Sequence, residues 1–229
     1  MTTVVLTGAD GAGKTTVARQ LMKSSPVPMA YLYMGPNIES SNVALPWSRL
    51  VLRLKLRSYR KTAQREGITD PNFVSTHHNA HRKVQRGRIG ATLRMMNRLA
   101  EASFRQLVSM MHQWRGDVVL YDRHFLLESA PTGRRHARLS DRIYHFILET
   151  FFPRPDMVIF LDAPPDVLLA RKGEGTVESL EWKRKVTVSQ GHKMANFVTV
   201  DASRPLDDVI EDVRRHIAAL VATTPGGNR

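Results

Sequence analysis

The chain has 229 residues, no cysteine, 42% hydrophobic residues and a formal net charge of +13. This hydrophobic share suffices for a globular core, and the length suits one domain with an insert. The absence of cysteine excludes a disulfide scaffold, a zinc–thiolate site and thiol catalysis. No apolar run reaches the roughly 20 residues of a membrane span, and no secretory signal precedes the first strand-like run, so the cytoplasm is the expected location.

The positive charge is concentrated in one stretch. Between Trp47 and Arg105 there are 14 Lys or Arg residues against three acidic ones, which leaves +11 there and only +2 in the other 170 residues. A basic region of this kind attracts phosphates, nucleic acid or an anionic membrane surface.

Short apolar runs alternate with helical patterns along the chain. Strands are predicted at residues 3–7, 30–34, 117–121, 156–161 and 197–200. Helices are predicted at 14–23, 88–114, 139–152, 165–171, 179–190 and 206–221. This alternation indicates a parallel sheet covered on both faces. Asp122, Asp162 and Asp201 follow the last three strands, and the carboxyl ends of strands are where such sheets bind ligands.

The segment GADGAGKT at residues 8–15 matches the pattern G-x-x-x-x-G-K-[ST] between a predicted strand and a predicted helix. Its glycines let successive backbone N–H groups point at one anion, Lys14 reaches the β- and γ-phosphates of a nucleotide, and Thr15 can ligate Mg²⁺. The predicted nucleotide-binding residues are Asp10, Gly11, Ala12, Gly13, Lys14, Thr15 and Thr16.

Two further segments carry charge suited to phosphoryl transfer. Asp122 can hold a Mg²⁺-bound water or orient the attacking oxygen, and Arg123 can clamp an anionic acceptor. The cationic, glycine-containing segment at 171–185 indicates a mobile lid that neutralises charge on the transferred group. A surface ion pair at 122–123 and a solvated loop at 171–185 are the alternatives.

With these motifs in view, the chain resembles the thymidylate kinase family. The resemblance rests on the glycine-rich loop, on Asp-Arg-His at 122–124, on Pro-Asp at 155–156 before the fourth strand, and on Leu-Asp at 161–162 after it. Arg171 and the Val-Asp-Ala sequence at 200–202 also fit. The match covers residues 1–34 and about 114–222.

The resemblance implies an α/β P-loop kinase fold, with a five-stranded parallel sheet of order 2-3-1-4-5, helices on both faces and a lid. It implies one domain over residues 1–222 with a lid at about 171–185. The basic insert at about 40–90 has no counterpart in the family pattern, and residues 223–229 are expected to form a flexible tail. The implied reaction moves the γ-phosphoryl group of Mg-ATP onto a nucleoside monophosphate.

Residue roles also follow from the resemblance. Lys14 and Thr15 would hold ATP and Mg²⁺, Asp122 would lie near the metal, and Arg123 would contact the acceptor phosphate. Family members without an arginine in the glycine-rich loop supply catalytic arginines from the lid. The candidates for this role are Arg171, Lys172 and Arg184.

The acceptor side departs from the family pattern. Members usually carry Arg-Glu-Pro-Gly-Gly after the second strand, whereas this chain has Met-Gly-Pro-Asn at 34–37. Asn37, Arg98 and Arg105 are the remaining candidates for acceptor binding. A sugar-type or phosphorylated small molecule is therefore an alternative acceptor. A P-loop ATPase with a nucleic-acid-binding insert is a second alternative, although the stretch has few aromatic side chains for base stacking.

The basic stretch contains two weaker patterns. Residues 47–61 predict a basic amphipathic helix that either packs on the sheet edge or contacts a membrane peripherally, and 53–57 also alternates like a strand. His77, His78 and His81 have metal-ligand spacing without further ligands nearby, so surface or phosphate-facing histidines are expected. Whether the chain forms a homodimer is left open.

Overall fold

The computed structural model describes residues 1–35, 38, 41–65, 88–128, 139–173, 176–192, 194 and 196–223. Five strands are present: β1 (Thr2–Gly8), β2 (Met29–Tyr33), β3 (Val118–Asp122), β4 (Met157–Asp162) and β5 (Phe197–Asp201). The helices are α1 (Lys14–Ser24), α2 (Pro46–Arg65), α3 (Arg88–Trp114), α4 (Phe125–Glu128), α5 (Leu139–Phe151), α6 (Pro165–Lys172), α7 (Val177–Gly191) and α8 (Leu206–Thr223).

All five strands pair in parallel, in the order β2-β3-β1-β4-β5. This confirms the predicted sheet. The strand β1 lies at its centre, paired with β3 on one side and β4 on the other, and six of its seven residues are buried. Such continuous burial is typical of a strand covered by helices on both faces, and it explains the unbroken apolar runs in the sequence.

The two faces of the sheet each carry a hydrophobic core. On one face, Val17 and Leu21 of α1 pack with Val213 of α8 and the sheet. On the other face, Ala102 of α3 and Leu148 of α5 pack against β2, β3 and β4. A side chain such as Leu148, which is fully buried, contributes about 1.5–3 kcal/mol relative to leaving it exposed. The helices that surround the sheet are therefore held by burial from both sides.

The helix α7 begins two residues before the predicted start at 179. Thr176 is its N-cap: its hydroxyl accepts a hydrogen bond from the Ser179 amide at 3.3 Å, and the Ser179 hydroxyl accepts one from the Thr176 amide at 3.0 Å. This reciprocal capping box uses serine where the usual sequence signal is glutamate or glutamine, so the sequence pattern placed the start too late.

The helix α2 covers the stretch at 47–61, and the strand-like alternation at 53–57 is part of this helix. The side chain of Ser48 faces α3 and donates to Asn97 at 3.4 Å, while Trp47, Leu50 and Leu54 are exposed. This hydrogen bond connects the start of the helix to α3. Packing on the sheet edge and peripheral membrane contact both remain predictions for this helix. Among the helices that the structure describes, none is both long and apolar enough to cross a membrane.

Candidate active site

The glycine-rich loop connects β1 to α1 and leaves the start of α1 open to an anion. A Cβ atom on Gly8 would lie 2.6 Å from the carbonyl oxygen of Leu161, so only glycine fits where β1 passes β4. Gly13 precedes α1 with a φ of 84° and supplies no side-chain cap. The amide groups of the first turn of α1 are therefore available for phosphate oxygens, and the helix dipole favours negative charge there.

Lys14 lies inside this loop and is only 7% exposed. Its ammonium group donates to the carbonyl oxygen of Gly8 at 3.0 Å and to that of Ala9 at 2.7 Å. The loop backbone thus carries a buried positive charge at the point where a phosphate chain would lie. Of the other predicted loop residues, Ala12 is buried and Thr16 is exposed.

Asp122 is the last residue of β3 and is 2% exposed. Its Oδ2 accepts hydrogen bonds from the hydroxyl of Thr15 at 3.1 Å and from the hydroxyl of Tyr31 at 2.8 Å. Its Oδ1 is buried and has no hydrogen-bond partner among the described residues. Burial and the neighbouring Asp122 carboxylate raise the pKa of Tyr31, so that hydroxyl keeps its proton and remains a donor.

The residues at this point fit a magnesium ion. Mg²⁺ prefers oxygen ligands and usually binds through one or two carboxylates together with substrate phosphates. The structure brings a threonine hydroxyl and a carboxylate together, and the unpartnered Oδ1 of Asp122 is a buried acceptor without a donor. In the part of the chain that the structure describes, no group of three or more His, Asp or Glu side chains forms a metal site. A metal at Asp122 would therefore depend on the phosphates of a bound nucleotide.

Arg123 joins the tip of β3 to the glycine-rich loop. Its guanidinium contacts the carboxylate of Asp10 at 2.6 Å, and both side chains are partly exposed. Its φ of 65° lies in the left-handed region, which costs a non-glycine residue of order 1–3 kcal/mol. Residues held in such conformations cluster at functional sites, and here the conformation turns the guanidinium toward the loop.

The next residue, His124, completes the predicted Asp-Arg-His motif but does not face solvent. It is 1% exposed, its Nδ1 accepts from the amide of Leu126 at 3.4 Å, and its ring packs against Phe125 at 4.2 Å between centroids. Burial lowers the pKa of His124 to about 3, so the ring is neutral at ordinary pH. Its place is in the core that supports Asp122 and Arg123.

The two predicted lid arginines each bind a residue at the end of β4 or directly after β5. Arg171, at the end of α6, donates to the carbonyl of Ala202 at 2.8 Å. Arg184, on α7, makes two hydrogen bonds of 2.6 Å to the carboxylate of Asp162. This contact with Asp162 raises the pKa of Arg184. Because Asp162 follows Leu161, which touches Gly8, Arg184 lies at the edge of the loop that β4 lines.

The predicted acceptor arginines have structural partners. Arg105 is 5% exposed and donates to the carbonyl oxygens of Gly35 at 2.6 Å and Val43 at 3.1 Å. It thereby holds the ends of the segment that follows β2. Arg98 stacks on the ring of Tyr144 at 3.9 Å and pairs with Asp141 at 3.4 Å.

Several predicted positions lie outside the described residues. These are Asn37, the three histidines at 77, 78 and 81, and the side chain of Lys172. Sequence reasoning also missed one residue of the site and one pairing. Tyr31 was counted only as part of an apolar strand, because its contact with Asp122 joins residues 91 positions apart. The pairing of Asp162 with Arg184 joins residues 22 positions apart and left no local pattern.

Comparison with known proteins gives a consistent set of relatives. No family model matches the chain. It is 27% identical over 233 residues to a thymidylate kinase from Xanthomonas oryzae pv. oryzae, an alignment that covers 98% of this chain and 86% of that protein. A probable thymidylate kinase from Saccharolobus solfataricus is 24% identical over 214 residues, covering 91% and 92%. These similarities support a thymidylate kinase family assignment for the chain.

The similarity to thymidylate kinases agrees with the architecture. The parallel five-stranded sheet of order 2-3-1-4-5, with the glycine-rich loop after its central strand, is that of a P-loop kinase. A third relative, a probable thymidylate kinase from Archaeoglobus fulgidus, is 30% identical over 118 residues, which cover 49% of this chain and 59% of that protein.

Proposed function

We propose that this protein is an ATP-dependent kinase that moves the γ-phosphoryl group of ATP onto the phosphate of a nucleoside monophosphate. The observation that carries the proposal is the joining of the glycine-rich loop to the tip of β3. Thr15 contacts Asp122 at 3.1 Å and Asp10 contacts Arg123 at 2.6 Å. A loop suited to phosphates therefore adjoins a carboxylate and an arginine suited to an acceptor.

Different residues of the chain would bind ATP, Mg²⁺ and the acceptor phosphate. Amide groups at the start of α1 and the ammonium of Lys14 would bind the terminal phosphates of ATP. Thr15 and Asp122 would hold Mg²⁺, which, when bound, neutralises charge on the phosphates. Arg123 would bind the acceptor phosphate and orient one of its oxygens toward the γ-phosphorus. The bond from that phosphorus to the leaving oxygen of ADP breaks as the bond to the acceptor oxygen forms.

The lid arginines complete this proposal. In the described structure, Arg184 is paired with Asp162 and Arg171 with the carbonyl of Ala202. We propose that one or both leave these partners when nucleotide binds and neutralise charge on the transferred group, as the family resemblance implies. Closing the lid over the nucleotide would also exclude water, which prevents ATP hydrolysis.

Thymidylate is the first acceptor to test, because the relatives are named thymidylate kinases. A panel of nucleoside monophosphates is incubated with Mg-ATP, and ADP release and acceptor mass are recorded together. Gain of one phosphate by thymidylate or another monophosphate supports the proposal. Loss of ATP without any phosphorylated product contradicts it.

A second acceptor class is favoured by one feature. The segment after β2 lacks the family's Arg-Glu-Pro-Gly-Gly sequence, and Arg105 is occupied by the carbonyls of Gly35 and Val43. A sugar-type or phosphorylated metabolite is therefore the alternative acceptor. The same mass assay on a metabolite mixture separates the two classes, since inactivity on every nucleoside monophosphate together with phosphate gain by another metabolite favours the alternative.

A further inference from the structure

Tyr31 connects β2 to the carboxylate at the end of β3. It lies in β2 opposite Leu120 of β3, two residues before Asp122. Side chains two residues apart on a strand point to the same face, so the tyrosine ring on β2 and the carboxylate at the end of β3 share one side of the sheet. The Tyr31 hydroxyl donates to Asp122 Oδ2 at 2.8 Å. A side chain from the neighbouring strand thus contacts the carboxylate that faces the glycine-rich loop.

The two oxygens of Asp122 are treated differently by their surroundings. Oδ2 receives both donors, from Tyr31 and from Thr15, whereas the buried Oδ1 has no partner within the described residues. Leaving a buried acceptor without a donor costs about 1–3 kcal/mol, and more for a charged group. Two donors therefore hold Oδ2 in place, whereas the described residues supply no donor for Oδ1.

The hydrogen bond from Tyr31 restricts rotation of the Asp122 carboxylate about its terminal torsion. The terminal torsion of an aspartate is broad and roughly two-fold, so a single hydrogen bond from Thr15 leaves the carboxylate plane free to turn. A second donor on the same oxygen, from a rigid ring on an adjacent strand, fixes that plane. The carboxylate is thereby oriented before any ligand binds, so binding does not include the entropic cost of ordering this side chain.

We infer that Tyr31 is a positioning residue for Mg²⁺–nucleotide binding: by holding Asp122 Oδ2, it fixes the carboxylate that, together with Thr15 and the nucleotide, would hold the metal. This inference rests on the proposed function, because it requires a nucleotide and Mg²⁺ at the glycine-rich loop. Tyr31 itself contacts none of the reacting groups and acts through Asp122. Partners of metal-binding carboxylates typically contribute 10–100-fold to metal affinity.

The test is the variant Tyr31→Phe, which removes one oxygen atom and keeps the ring. The matched control is Tyr121→Phe. Tyr121 lies on β3, is 2% exposed and packs in the core on the opposite face, where its hydroxyl bonds to Ser109 at 2.5 Å. Both variants lose a hydroxyl with a hydrogen-bond partner, but only one of these hydroxyls contacts Asp122. Circular dichroism melting of both variants gives the loss of stability caused by the missing hydroxyl alone.

Calorimetric titration with a non-hydrolysable ATP analogue is carried out with Mg²⁺ and again with EDTA. In the wild type, the ratio of the two dissociation constants measures how much Mg²⁺ strengthens nucleotide binding. We expect Tyr31→Phe to reduce this ratio by about tenfold or more while the constant in EDTA changes less than about twofold, and Tyr121→Phe to leave the ratio unchanged. In turnover assays, the Mg²⁺ concentration at half-maximal rate should rise for Tyr31→Phe, and excess Mg²⁺ should restore most of kcat.

The outcomes separate the inference from the proposed function. A wild type that binds the analogue equally well with and without Mg²⁺ overturns the proposed metal use, and the inference with it. If Mg²⁺ strengthens binding of the analogue by the same factor in the wild type and in Tyr31→Phe, the inference alone is overturned. An equal loss of the Mg²⁺ effect in Tyr121→Phe also overturns it, because the loss would then follow from reduced stability.

Discussion

Replacing Lys14 by methionine should separate catalysis from folding. The methionine keeps most of the buried stem and removes the ammonium, which donates to the carbonyls of Gly8 and Ala9. The Ala9 carbonyl keeps the amide of Ala12 at 3.2 Å, so the structural loss falls mainly on the Gly8 carbonyl. One lost hydrogen bond costs about 1 kcal/mol of unfolding free energy. For a chain of this length we expect Tm to fall by about 2–4 °C.

The catalytic loss in Lys14→Met should be much larger. In the proposed function the ammonium binds the transferred phosphate, and removal of one such preorganised group lowers kcat by about 10²–10³-fold. The assay couples ADP release to NADH oxidation at saturating ATP and acceptor, with Tm measured on the same preparation. Turnover like that of the wild type in the well-folded variant would refute the assignment of the loop.

Three further outcomes follow from buried or paired groups. For Arg105→Met we expect about 3–5 kcal/mol loss of unfolding free energy, because the buried Glu101 carboxylate loses its cation at 3.7 Å and two carbonyls lose their donor. This loss corresponds to a Tm lower by roughly 10 °C, and unchanged stability would make Arg105 available to substrate instead. Burial lowers the pKa of His124 to about 3, below its unfolded value, so the unfolded chain binds the extra proton and stability falls as pH drops below about 6.5. In EDTA, the unfolding free energy of His124→Gln should fall by about 2 kcal/mol less than that of the wild type between pH 7 and pH 5. Urea melts that give the same change of unfolding free energy with pH for both proteins would refute this. For Arg184→Gln we expect about 1 kcal/mol loss of stability, because its pair with Asp162 is partly exposed, but about 100-fold lower kcat; a full kcat would assign Arg184 to anchoring α7 alone.

The sheet and its helices could be predicted because each element is encoded locally. The run at 3–7 has three consecutive apolar residues between two threonines, which is typical of a strand buried on both faces, and the glycine-rich loop that follows fixes where β1 ends. The helix at 88–114 was predicted with its observed bounds, since its apolar positions recur at helical spacing. Asp122 could be placed at a strand end for the same reason.

Much of the site depends on contacts between residues distant in sequence. Arg105 reaches a carbonyl 70 residues away, and Tyr31 reaches a carboxylate 91 residues away. Neither contact leaves a periodic or spaced pattern, because the sheet order and the packing of α3 bring these side chains together. Arg105 therefore appeared from sequence as a free acceptor arginine, and Tyr31 appeared as a core residue.

The central claim is that the glycine-rich loop holds the terminal phosphates of ATP while the tip of β3 faces the acceptor. The most direct test is a crystal structure of the protein with a Mg²⁺-bound, non-hydrolysable ATP analogue. We expect the β- and γ-phosphates within hydrogen-bond distance of the loop amides and Lys14, with Mg²⁺ beside Thr15 and Asp122. A nucleotide bound elsewhere, with Lys14 still on the Gly8 and Ala9 carbonyls and the loop empty, would contradict it.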